Sequence, residues 1–81
     1  MSNFENEELT KHVGAEIVNM MQCATIAIRD PNFSQEQKMA AWAIKALVME
    51  GIGVNPDFPD HIYFTRSIWD QIKVHGLVLF S

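Results

Sequence analysis

Cysteine, proline, glycine and positive charge are all scarce in this chain of 81 residues, and each shortage excludes something. The single cysteine, Cys23, rules out an internal disulfide, so no covalent staple supports the fold. With no second cysteine or paired histidine at ligand spacing, a zinc site has no framework either. Three prolines and four glycines are too few for a linker-like or low-complexity chain. Six basic residues against ten acidic ones give a net charge of −4, and no basic cluster offsets it. Duplex DNA, whose affinity rests on phosphate neutralisation, is therefore a poor match. The longest uncharged stretch, Ile17 to Ile28, is interrupted by Asn19 and Gln22 and falls short of a membrane span of about 20 residues. The opening residues Met-Ser-Asn-Phe-Glu-Asn-Glu-Glu carry neither the basic region nor the apolar core of a signal peptide. These absences together predict a soluble, cytoplasmic protein.

What is abundant is apolar side chain, at 48% of the residues. A chain this short supports one domain, residues 1–81, and buries only roughly 60–65% of its unfolded surface. The apolar content is rich for so thin a core. Charge is also unevenly placed. Residues 1–36 hold six acids against Lys11 and Arg29, whereas acids and bases balance over residues 37–81.

The pattern predicts three helices. Ser2 and Glu5 form a capping-box pair, and Leu9, Val13, Ile17, Met20, Met21, Ala24, Ala27 and Ile28 recur at helical spacing over about residues 4–29. Gly14, Ala15, Ala24 and Ala27 would let a second helix approach closely. Asp30-Pro31-Asn32 ends this segment, because proline drives the residue before it out of the helical region. Ser34 and Gln37 make a second capping box behind Phe33, and a helix over 35–50 follows with Gly51 placed as its left-handed cap. A stiff connection containing Pro56 and Pro59 leads to Asp60, read as the cap of a third helix over 61–75 that stops at Gly76. Phe64, Ile68 and Ile72 form its inward stripe. The expected fold is a small all-α domain of three helices with an apolar C-terminal tail, Leu77 to Phe80, completed by homo-oligomerisation. The competing expectation is α+β, with short strands near 62–65 and 77–80, since Ile-Tyr-Phe-Thr has high strand propensity.

Helical angles show where the apolar surplus lies. Val18 and Ile26 project away from the main stripe of the first helix. Trp42 and Met49 fall opposite the centre of the second, and Ile62 and Trp69 lie off the stripe of the third. Helices apolar over most of their circumference are normally buried on both sides. A homo-oligomer, most simply a dimer, is the expected solution.

Two side-chain groups carry the candidate binding chemistry. Lys38, Trp42, Lys45 and Met49 share one face of the second helix, and Arg66, Trp69 and Lys73 share one face of the third. Each sets an indole between two cations, an arrangement that suits a protein hot spot or the stacking of a nucleotide-like anion. Local pairing of Asp70 with Arg66 or Lys73 is the bland reading. His12 and Glu16, four residues apart, are read as a surface hydrogen bond or ion pair rather than as metal ligands. Cys23 is read as a small hydrophobe. Asn55, Asp57 and Asp60 lack the ligand pattern of a calcium loop. Ser67 and Cys23 have no base nearby in sequence, and no glycine-rich phosphate loop is present, so neither catalysis nor a cofactor is expected.

In size the chain resembles small stand-alone binding proteins such as bacteriocin immunity proteins, antitoxins and phage-encoded inhibitors. The expected function is that of a non-enzymatic interaction protein that self-associates and binds or blocks a macromolecular partner, with Trp42, Met49, Ile62, Trp69 and their basic neighbours in contact. A binder of a nucleotide-like anion at a subunit interface is the first alternative, and a DNA-binding regulator the second.

Overall fold

A computed structural model of the protein describes the backbone of residues 3–54 and 64–81, and the side chains of 12–53 and 64–81. Three helices make up the fold: α1 (Asn3–Arg29), α2 (Gln35–Val54) and α3 (Arg66–Leu79). No strand occurs among the described residues. The all-α, three-helix expectation holds, and the strand proposed at 77–80 is helix through Leu79.

α1 stops where proline chemistry requires. The Asp30 amide makes a last helical bond to Ile26 at 3.0 Å, and the Asp30 carboxylate then accepts from the Asn32 amide at 2.9 Å. That side-chain turn reverses the chain within residues 30–34 and sets α2 antiparallel to α1. The second capping box forms as read: the Gln37 amide donates to Ser34 Oγ at 3.1 Å, and the Ser34 amide donates to Gln37 Oε1 at 2.9 Å. Phe33, just before it, packs against the core.

Gln37 has a second task that its local pattern does not announce. Its Nε2 donates to the carbonyls of Leu79 at 3.3 Å and Ser81 at 2.9 Å. Leu79 ends α3 and Ser81 lies just beyond it, so neither carbonyl has a helical donor and the start of α2 caps the end of α3. At the other end, Gly51 of α2 faces the ring of Phe64, just ahead of α3. α2 and α3 are therefore antiparallel as well.

α2 is the central element. It packs against both neighbours, while α1 and α3 meet each other only over a short stretch, which includes Met20 against Gly76. The core runs along this middle helix: Ala40, Ala41, Ile44 and Val48 of α2 join Ile17, Ala24 and Ala27 of α1, and Ile72 and Leu79 of α3. Alanines on both sides of the α1–α2 contact allow the close approach foreseen for Ala24 and Ala27, and Gly14 is buried with them; Ala15 points to solvent. Cys23 is half-buried against the core as a free thiol.

Several boundaries differ from the sequence expectations, and two glycines explain most of the difference. Gly51 does not cap α2, which continues to Val54. A Cβ at Gly51 would stand 1.9 Å from the Phe64 ring, so the residue is glycine because an aromatic ring occupies that volume. Gly76 does not end α3 either. It is buried inside the helix, where its missing side chain admits Met20. With Gly76 passed, the apolar "tail" becomes the last turn of α3, closed by the Phe80 amide bonding to Gly76 O at 3.0 Å. The described start of α3 is capped by Thr65, whose hydroxyl accepts from the Ile68 amide, so Phe64 lies outside the helix. The Ser2 cap of α1, the Asp60 cap, the Asn55–Asp60 loop, His61 and Ile62 lie outside the described residues.

Candidate interaction surface

The same helix that carries the core also exposes three large apolar side chains to water. α2 buries one arc, Ala40, Ala41, Ile44, Val48 and Gly51, and turns the opposite arc outward. On that outer arc Met39 is 64% exposed, Trp42 59% and Met49 58%. Ala46 and Gly53 are exposed with them. The five positions follow alternating three- and four-residue steps, the spacing that keeps side chains in a straight row along a helix. At about 100° per residue the row is centred roughly 170° from the buried face. It is a continuous strip, and no element among the described residues covers it.

Charged residues flank the strip asymmetrically. Lys38 and Lys45 stand half-buried along one edge, and Glu36 and Glu50 stand exposed along the other. Lys45 Nζ lies 5.5 Å from the centroid of the Trp42 ring, a cation–π contact that holds the indole against its own helix. Lys38 makes no such contact, so Trp42 has one cation rather than the expected two.

The second predicted group divides differently. Lys73 Nζ sits 5.8 Å from the Trp69 centroid, while Arg66 is exposed and does not stack on the ring. Trp69 is half-buried against the core, joining Ile68 there, and is not part of a free strip. The cause is the rotation of α3: Ile72, Gly76 and Leu79 set its buried line, and Trp69 borders that line. Asp70 forms no ion pair with Arg66 or Lys73. α3 exposes Val74 and Leu77, its cap residue Phe80 is exposed as well, and α1 exposes Ile26. Val18 is only half-exposed. On the outer side of α1, His12 Nε2 lies 2.9 Å from Glu16 Oε1, within hydrogen-bond distance.

Trp42 and Met49 thus lie on the surface where their angles placed them. Lys38, Lys45, Arg66 and Lys73 lie beside the two indoles without converging on one point. Reading by charged neighbours missed Met39, Ala46 and Gly53. Their signal was present in the alternating spacing, but grouping by the lysines drew the line about 45° around the helix from the true row. Among the described residues, no three histidine, cysteine or acidic side chains gather as metal ligands, and no helix is long and apolar enough to cross a membrane. No family model matches the chain, and neither a curated protein nor a solved structure is similar to it.

Proposed function

We propose that this chain is a small, non-catalytic interaction protein that self-associates and binds or blocks a macromolecular partner. The observation that carries the reading is the row Met39–Trp42–Ala46–Met49 on the face of α2 directly away from the core. Large apolar side chains in a contiguous exposed row mark an association surface, and tryptophan and methionine are enriched at such surfaces. Methionine adapts its shape to what it meets, and tryptophan supplies the area and rigidity of a hot spot. The bland alternative, lysine stems covering the indoles, is met by Lys45 on Trp42 and Lys73 on Trp69 but leaves Met39 and Met49 bare.

The test is solution mass by light scattering over a range of concentrations, for the wild-type chain and Trp42→Ala. The expected outcome is an oligomer that Trp42→Ala dissociates while the melting curve of the dissociated chain stays near that of dilute wild type. A wild-type monomer at every concentration would remove self-association, and a large loss of melting temperature would make Trp42 a core residue.

A second reading keeps one specific support. Lys45 on Trp42 and Lys73 on Trp69 each pair a cation with an aromatic plane, as a nucleotide-like anion would require. Tryptophan fluorescence titrated with a nucleotide panel decides it, and a flat response across the panel sinks it.

A further inference from the structure

We propose that two copies of this chain pair through α2 in antiparallel orientation, in one register, with each Trp42 seated over Ala46 of the other copy. The inference deepens the reading of the chain as a self-associating interaction protein and rests on it.

Self-complementarity favours a second copy as the occupant. A two-fold dimer needs one patch that complements itself, and the outer row of α2 does.

Size fixes the orientation. Read from its middle outward, the row matches itself in reverse: Met39 meets Met49, Trp42 meets Ala46, and Gln35 meets Gly53 at the ends. The four central layers of an antiparallel pair then hold comparable volumes, and the end layers are smaller. A parallel pair would stack Trp42 on Trp42 and leave Ala46 facing Ala46, one layer overfull and the next hollow. Such misfilled layers each weaken an equilibrium by about tenfold or more.

Charge argues the other way, with less force. Antiparallel pairing brings Lys45 beside its own copy and Glu36 beside Glu50 of the other chain, whereas parallel pairing would set Lys45 against Glu50. These side chains stay at the wet rim, where one pair changes an equilibrium by only about twofold. Packing therefore decides the orientation, and the like-charged rim leaves a measurable signature.

That signature supplies the experiment. Glu50→Lys replaces two Glu36–Glu50 repulsions per dimer with two attractions, and should tighten the dissociation constant about fourfold or more relative to Asp70→Lys. Asp70→Lys makes the same change in net charge on α3, outside the pairing. Parallel pairing predicts weakening, because Lys45 would lose its partner; weakening or no difference from Asp70→Lys overturns the proposal. Disulfide trapping tests the register independently, in a Cys23→Ala background. Met39→Cys mixed with Met49→Cys should give a cross-linked heterodimer on oxidation, and neither variant alone should cross-link. Self-cross-linking of each variant alone indicates parallel pairing and overturns the proposal. A dimeric mass with no cross-link in the mixture places association on another face and overturns this register while leaving the interaction reading intact. A monomeric mass overturns both.

Discussion

The two faces of α2 are both apolar, yet they are built from different residues. The inner face is Ala40, Ala41, Ile44, Val48 and Gly51: small or β-branched, with few rotamers and almost no exposure. The outer row is Met39, Trp42 and Met49, large and more than half exposed, with Ala46 as a gap between them and Gly53 at the end. Small, stiff side chains let backbones approach and define one packing, the requirement of a helix held between two neighbours in its own chain. Long or flat side chains beside gaps suit a partner that arrives from outside. Apolar content alone therefore does not distinguish core from interface here; side-chain shape does.

The largest expected effect tests that division directly. Ile44 is fully buried between helices, so Ile44→Ala should cost about 2–5 kcal/mol, a large part of the total stability of a domain this small. Trp42→Ala removes far more volume from the opposite face. In dilute, monomeric protein it should change stability by less than about 1 kcal/mol, mostly the lost contact with Lys45. Urea denaturation at low concentration measures both. Comparable losses for the two variants would erase the distinction between the faces.

The next effect sharpens it at one atom. Gly51→Ala adds a single methyl to the inner face, where the Phe64 ring stands 1.9 Å from the new Cβ. The ring must leave, taking its packing against the core with it, so the variant should lose about 1–3 kcal/mol despite the better helix propensity of alanine. Combining it with Phe64→Ala should give much less than the sum of the two single losses, because one variant makes the room the other needs. Additive losses would show that Gly51 is required for some reason other than the ring.

Gly51 also shows what could and could not be read from the chain. Helix number, the turn at Asp30-Pro31-Asn32 and the Ser34–Gln37 box follow from local rules, and each forms within a few residues of sequence. A glycine at a helix cap and a glycine beneath an aromatic ring look alike in sequence, so Gly51 and Gly76 signalled stops where the helices run on. Their partners, Phe64 and Met20, are remote in the chain. The same remoteness hid the bonds from Gln37 to the end of α3, which turn a local cap into a link between helices. Trp69 was misplaced because the rotation of α3 is set by its packing on α2 rather than by its own periodicity. The candidate surface was half legible: Trp42 and Met49 by angle, but not the row they belong to.

The smallest effect has the opposite sign and lies on the outer face. Gly53 sits in α2 two residues beyond Gly51, yet nothing lies within 4 Å of a Cβ placed there. Gly53→Ala therefore gains helix propensity without a clash, reduced by its place in the last turn, where fewer bonds depend on it. A gain of about 0.5 kcal/mol, or roughly 2–4 °C in melting temperature, is expected in monomeric protein. The two glycines thus share a helix and a substitution but differ in sign, because one faces a ring and the other faces water. A loss at Gly53 comparable to that at Gly51 would mean that the outer arc is already occupied within the chain. The row through Met39, Trp42 and Met49 would then not be free to receive a second copy.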